Sequence, residues 1–324
     1  MNSNLRIFAA ALLMSAPFWW GINLLSSWVE EGYAEQRITA YANVLAASGL
    51  QEKLESRLPI RRNAQDPEME TTAVLSLLVR EDGTQRILFA QNSQEPLPIA
   101  SLTKLMTSYV TGTYYADEQE VLVSPRAVEE WGTAGDLYAG ETFFVSQLLA
   151  PLLLESSNDA AAALAEVIGK EEFISLMNEE ADLLGMKHTS FKNATGLDEE
   201  EPNLSSAEDT ALIFRRLQEE LPSVFQLLGK KELVVETAEG VYHHVAFTTN
   251  ELLRTNNFPV RILAGKTGET PRAKGALVIA TETPTNKGYL VFVVLGSEDR
   301  FGEMRNLVEW TISSHSWSLP PLSL

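Results

Sequence analysis

Pro98-Ile99-Ala100-Ser101-Leu102-Thr103-Lys104-Leu105-Met106-Thr107 is the stretch on which the reading of this chain turns. Pro98 precedes a run with helical spacing, so Ser101 falls at or near a helix start. Residues three apart share a helix face, which puts the Lys104 amine within reach of the Ser101 hydroxyl. A free lysine is a poor base at neutral pH, with a pKa of about 10.4. Lowering it by about three units takes roughly 4 kcal/mol of differential destabilisation of the ammonium. Burial and a neighbouring cation such as Lys266 supply a penalty of that kind, and Ser101 then becomes a nucleophile activated by an amine. Taken alone the string is weak, since about one Ser-x-x-Lys is expected by chance in a chain of this length. A serine N-cap followed by an exposed lysine is the better reading of that string in isolation.

Two more strings, each occurring once, change the balance: Ser156-Ser157-Asn158 and Lys266-Thr267-Gly268. Ser156 and Asn158 lie between an apolar helical segment (145–154) and an alanine-rich one (160–168). Alternate residues of an extended loop point the same way, so both side chains enter one cleft. A hydroxyl there can pass a proton to a leaving amine, and an amide can hold a lysine and a substrate carbonyl together. Helix capping by Ser156, Ser157 or Asn158 is the competing use. Lys266 and Thr267 suit a substrate carboxylate, and Gly268 permits close approach of a ligand to the backbone. The N–H groups of Glu269 and Ser101 then form a candidate oxyanion hole. Read together, the strings supply a nucleophile, its base, a proton relay and an anion clamp.

Composition narrows the alternatives. A formal charge of −19 leaves no basic face to track phosphates, which argues against nucleic-acid binding. The acidic clusters at 117–120 and 199–201 read as solvated surface. The lack of cysteine removes disulfides, thiolate metal sites and Cys nucleophiles without fixing the compartment. His188, His243, His244 and His315 show no metal-ligand spacing; adjacent His243 and His244 in a strand would point oppositely, and all four read as surface histidines.

The N-terminus carries a membrane signal. Arg6 precedes an uncharged stretch from Ile7 to Val29, just long enough to span a bilayer. The basic end stays in the cytoplasm and the rest of the chain faces outward. A cleaved signal peptide, with Gly32-Tyr33-Ala34 as the cleavage site, is the rival, and both readings export the protein. The expected organisation is therefore a signal-anchor or signal peptide over 1–34, a stalk over 35–70, one compact domain over 71–315, and a tail over 316–324. Within the domain, 73–79 and 86–90 read as strands about an Asp82-Gly83 turn, followed by helices from about residue 102 to 230. Segments 262–270, 275–283 and 289–296 read as three late strands, and 303–313 as a final amphipathic helix. Strands at both ends with helices between imply an α/β (α+β) fold, with one antiparallel sheet of about five strands built from both chain ends and a helical subdomain between them.

The segment around Ser101 resembles the nucleophile segment of D-alanyl-D-alanine carboxypeptidases, the low-molecular-weight penicillin-binding proteins. Gly140-Glu141, Asn158-Asp159-Ala160-Ala161, Leu184-Gly185-Met186 and Asn193-Ala194-Thr195-Gly196-Leu197 continue the likeness. So do Ser206-Ala207-Glu208-Asp209, Thr249-Asn250-Glu251-Leu252-Leu253 and Arg300-Phe301, so that it covers roughly residues 71–315. The resemblance implies a β-lactamase/transpeptidase-like fold and acyl transfer on peptidoglycan stem peptides ending in D-Ala-D-Ala. It implies that Ser101 attacks the penultimate D-Ala carbonyl, Lys104 takes its proton, and Ser156 helps protonate the departing D-Ala. It implies that the leaving carboxylate rests on Lys266 and Thr267, that β-lactams acylate the same serine, and that no metal or organic cofactor takes part.

The sequence departs from the family pattern in three places. Glu269 stands where the family often has an aromatic residue or His, which sets an acid beside a carboxylate site. Lys274 stands where Gly commonly follows Ala273, and a compensating Glu269–Lys274 charge pair is one expectation. The chain ends about 55 residues after Gly268, so the C-terminal β-rich domain of many relatives is expected to be absent. Three rival readings stand beside the carboxypeptidase. A D,D-endopeptidase cutting cross-links shares the chemistry, and a class A β-lactamase shares the strings but needs a Glu-x-x-Leu-Asn segment not found here. A non-catalytic membrane sensor or scaffold would not need every catalytic residue intact.

Overall fold

The computed structural model describes residues 57–63, 65–129, 137–255 and 257–319, together with positions 37, 38 and 40. The apolar stretch 7–29 and nearly all of 38–58 lie outside the described residues. Among those described, no helix is long and apolar enough to cross a membrane.

Residues 65–314 form one compact unit. Its first strands, β1 (Ala73–Val79) and β2 (Gln85–Gln91), flank the Asp82-Gly83 turn. Asp82 Oδ1 accepts from the Thr84 amide at 2.9 Å, and Gly83 takes the positive φ that this reversal requires. The late strands are β3 (Ile262–Thr270), β4 (Lys274–Glu282) and β5 (Tyr289–Ser297). The sheet order is β3-β4-β5-β1-β2, with every pair antiparallel. The two ends of the unit thus meet where β5 pairs with β1, as the sequence leads one to expect.

Side-chain alternation divides the sheet's two faces. Ala73, Leu75, Leu77 and Val79 of β1 join Ala276, Val278, Ala280, Val291, Val293 and Leu295 in one apolar cluster with the helices between the strands. On the other face, Ser76 of β1 hydrogen-bonds Thr311 of the final helix at 3.0 Å. The central strands are therefore buried on both sides and read as continuous apolar runs.

The helices run in chain order: α1 (Lys104–Tyr114), α2 (Val145–Leu153), α3 (Asn158–Glu166), α4 (Lys170–Leu184), α5 (Ala207–Glu220), α6 (Pro222–Leu227), α7 (Glu251–Arg254) and α8 (Arg300–Ser313). Ser157, Ser206, Asn250 and Asp299 cap α3, α5, α7 and α8 through side-chain oxygens that accept backbone N–H groups. α8 begins at Arg300, three residues before the start read from the sequence, because the Asp299 cap supplies the missing turn.

A hairpin of Glu232–Glu236 and Tyr242–Phe247 corrects the reading of the histidines. Val235 pairs with His244 and Glu236 with Tyr242, so His243 is the extra residue of a β-bulge. The bulge cancels the alternation that would have separated the two rings. Their Nδ1 atoms lie 2.5 Å apart, His243 Nε2 is 3.1 Å from Glu141, and His244 Nε2 is 3.0 Å from Glu155. The His243 side chain is only 7% exposed, and His315 is also buried, so neither is a surface histidine. Separately, Ile60–Arg61 pairs with His315–Ser316 in a short two-stranded ladder of its own.

Candidate active site

Ser101 lies in a single 3-10 turn, Ala100–Thr103, that runs directly into α1. Ala100 takes a φ of +48°, a left-handed conformation that costs a non-glycine residue of order 1–3 kcal/mol. Two glycines hold this turn from opposite segments. A Cβ on Gly196 would come within 2.0 Å of the Ala100 carbonyl oxygen, and one on Gly268 within 2.8 Å of the Ile99 oxygen and 3.0 Å of the Ser101 nitrogen. Only a residue without a side chain lets either backbone come so close.

Lys104, the first residue of α1, is wholly buried. Its Nζ lies 3.0 Å from Ser101 Oγ, 2.7 Å from Asn158 Oδ1 and 2.6 Å from the Thr195 carbonyl oxygen. Burial holds its pKa well below the ordinary lysine range, and the charge of Lys266 lowers it further. A neutral amine has two N–H donors and one lone pair. Asn158 and Thr195 offer acceptors for both N–H groups, which leaves the lone pair for the Ser101 hydroxyl.

The Thr195 carbonyl is aimed by a buried amide network. Asn193 Oδ1 accepts from the Gly196 amide at 2.7 Å, while Asn193 Nδ2 donates to the Leu197 carbonyl at 3.1 Å. Asn203 accepts from the amides of Lys192 and Asn193 and donates to Thr103 Oγ1 at 2.9 Å. One asparagine thus ties the 193–197 loop to the turn that carries Ser101.

The second string is not the extended loop read from the sequence. Ser156 takes a φ of +68°, Ser157 caps α3 by accepting from Ala160 N at 3.0 Å, and Asn158 is already helical. The capping role falls to Ser157, while Ser156 and Asn158 point towards the lysines. Ser156 Oγ accepts from Lys266 Nζ at 2.9 Å.

Lys266, Thr267 and Gly268 lie on β3, paired with Val278, Leu277 and Ala276. Lys266 is buried, and its Nζ also donates to the Thr267 carbonyl at 3.0 Å. Burial, helped by the charge of Arg300, brings its pKa down to about 7. Thr267 Oγ1 lies 2.5 Å from Thr249 Oγ1. Glu269 departs from the group: its side chain is 68% exposed and pairs with Arg300, the first residue of α8. Lys274 pairs with Glu298 at 2.9 Å, so the expected Glu269–Lys274 pair does not form. Lys274 does take a positive φ, the conformation that favours glycine.

The structure therefore gathers Ser101, Lys104, Ser156, Asn158, Lys266 and Gly268, sets Thr267 beside Thr249, and turns the Glu269 carboxylate towards Arg300. Reading the residues for chemistry missed Thr195, which acts through a carbonyl that any residue possesses, and Asn203, Thr249 and Arg300. The segments around Thr195, Thr249 and Arg300 do stand within the family resemblance, which was the available signal. Among the described residues, no group of three or more His, Asp or Glu is arranged to hold a metal ion.

The model of the D-alanyl-D-alanine carboxypeptidase family, peptidase family S11, matches residues 61–299. The D-alanyl-D-alanine carboxypeptidase DacF of Bacillus subtilis is 31% identical over 258 residues, 76% of this chain and 64% of its own length. A D-alanyl-D-alanine endopeptidase of Pseudomonas aeruginosa is 30% identical over 269 residues, 78% of this chain and 82% of its own. The crystal structure of penicillin-binding protein 5 from Haemophilus influenzae matches with a TM-score of 0.68 at 27% identity, over 76% of this chain and 72% of that one. The chain spans about three fifths of the length of the curated carboxypeptidases it matches. The family match and the five-stranded sheet with its helical insert lead to one conclusion: the chain belongs to the D-alanyl-D-alanine carboxypeptidase family.

Proposed function

We propose that the protein is a serine-type D-Ala-D-Ala carboxypeptidase that removes the terminal D-Ala from peptidoglycan stem peptides through a Ser101 acyl-enzyme. The observation that carries this reading is the buried Lys104 amine, its pKa held well below the ordinary lysine range, 3.0 Å from Ser101 Oγ. Neutral Lys104 takes the Ser101 proton as Oγ bonds to the penultimate D-Ala carbonyl carbon, with the developing oxyanion held by the N–H groups of Ser101 and Glu269. As the C–N bond breaks, the proton returns through Ser156 to the departing amine of D-Ala. Asn158 holds Lys104 and the substrate amide in register. The leaving carboxylate rests on Lys266 and Thr267, and Gly268 admits the substrate backbone beside β3. Water then hydrolyses the ester and restores Ser101. β-Lactams, which mimic the acyl-D-Ala-D-Ala bond, acylate the same oxygen.

The catalytic domain corresponds to residues 71–315 and works outside the cytoplasm, delivered by the apolar segment 7–29 as an uncleaved anchor or a cleaved signal. The charge asymmetry of Arg6 against Glu30, Glu31 and Glu35 supports that orientation. A second reading, D,D-endopeptidase action on cross-linked stems, rests on the Pseudomonas relative matched over 82% of its length. Incubation with pentapeptide muropeptides and cross-linked dimers, followed by mass spectrometry, separates the two. Loss of a single D-Ala supports the carboxypeptidase, and split dimers without that loss support the endopeptidase. Failure to cleave either substrate, by a protein shown to be folded, contradicts both.

A further inference from the structure

Glu269 follows Lys266-Thr267-Gly268 on β3 and shares a strand face with Thr267, because alternate residues of a strand point the same way. Its carboxylate accepts from Arg300 Nη1. The Arg300 stem crosses Gly275, the register partner of Glu269 on β4. A Cβ there would come within 3.1 Å of Arg300 Cβ and 3.3 Å of Cδ. The bare Gly275 backbone thus lets the guanidinium lie along the edge where the Lys-Thr-Gly segment runs. Arg300 Nε is buried and has no hydrogen-bond partner among the described residues. The Arg300 charge is also felt at Lys266, so the guanidinium belongs to the same electrostatic site.

A guanidinium is a planar fork that takes carboxylates in pairs of hydrogen bonds. In this chain one arm of the fork is already engaged by an internal carboxylate, one residue beyond the segment read as the clamp for the leaving carboxylate. A free substrate carboxylate arriving there loses part of the Arg300 fork and meets the negative charge of Glu269. A leaving residue whose carboxyl is an uncharged carboxamide meets neither penalty.

We propose that Glu269, by engaging Arg300, is a specificity-determining residue that shifts the site away from leaving residues with a free carboxylate and towards those with a neutral carboxamide. Beside terminal D-Ala acids, the site then also accepts stem peptides or cross-links amidated at the residue released on acylation. This rests on the acyl-transfer reading of Ser101 and Lys104. The bond changes are those already given, with the amidated amine leaving in place of D-Ala.

The test compares two peptides, an N-acyl-L-Lys-D-Ala-D-Ala acid and its C-terminal carboxamide, as the ratio of their kcat/KM values. The full-length protein is measured beside Glu269→Gln and Glu269→Ala, with fluorescent penicillin labelling in parallel. Both variants keep the backbone N–H, and both should raise the acid-to-amide ratio at least about fivefold, the effect of removing one unit charge at ~4 Å even in a water-like dielectric. If labelling and cleavage persist but the ratio stays put in both variants, the inference is overturned and the acyl-transfer reading stands. If folded wild-type protein neither labels nor cleaves either peptide, that reading falls and takes the inference with it.

Discussion

Lys266 Nζ donates to Ser156 Oγ across 2.9 Å, joining the second and third strings through residues 110 positions apart. The contact sets a lysine that titrates at about 7 beside the hydroxyl read as the proton relay, while its charge bears on Lys104. The charge of one buried lysine thus shapes the protonation of the other, and the pH behaviour of the protein should show it.

Acylation by a penicillin should rise with pH along a limb that lies below the ordinary lysine range, because the proposed mechanism makes neutral Lys104 the active form and its pKa is held down. Lys104→Met should slow acylation by about 10²–10⁴-fold, the usual contribution of a positioned base. Stopped-flow labelling across pH measures both effects. In Lys266→Met the surviving limb should move to higher pH, since a cation that lowers the Lys104 pKa has been removed.

Stability should carry the mark of Lys266 as well. Its folded pKa, about 7, lies below its ordinary value of 10.5, so between those limits the unfolded chain holds a proton that the folded chain lacks. The Lys266 contribution to stability therefore becomes more favourable as pH rises through this window and reaches its full penalty below it. Denaturant unfolding of wild type against Lys266→Met should show the variant's advantage shrinking from pH 7 to pH 10, by roughly 3–4 kcal/mol at most.

Gly196→Ala should damage the Ser101 turn without touching a reacting atom. The new Cβ would sit 2.0 Å from the Ala100 carbonyl oxygen, at a backbone φ of +88°. Thermal unfolding should show a loss of at least about 1–3 kcal/mol, and labelling should fall more steeply than stability alone explains. Gly140→Ala, also at positive φ but with open space around its Cβ, should lose stability while keeping the labelling rate.

Asn203→Leu should uncouple the 193–197 loop from the Ser101 turn. It leaves the amides of Lys192 and Asn193 and the Thr103 hydroxyl without their partner, at a cost of about 1–3 kcal/mol for each buried group so stranded. Hydrogen exchange over residues 192–197 should rise in the variant. Unchanged exchange there would contradict the bracing role.

How much of this was legible in the sequence depended on how local each signal was. The Ser101–Lys104 contact follows from helical spacing, and the Ile262–Thr270 strand was read to the residue because turn signals flank it. Ser156 does face the lysines as expected, but from a left-handed turn ahead of the Ser157 cap rather than from an extended loop, and alternation does not reveal such a turn. The Thr195 carbonyl left no trace in side-chain chemistry. His243 and His244 were misread because alternation holds only for a regular strand, and the bulge that breaks it is fixed by pairing with residues 235 and 236. Arg300 reaches Glu269 only because β4 brings the bare Gly275 backbone between them.

The central claim is that Ser101 is acylated with Lys104 as its base, and intact-protein mass spectrometry after incubation with benzylpenicillin tests it most directly. The account predicts a single covalent adduct that maps to the peptide containing Ser101 and disappears in Ser101→Ala. An adduct that survives that substitution, or a folded wild-type protein that forms none, would contradict it.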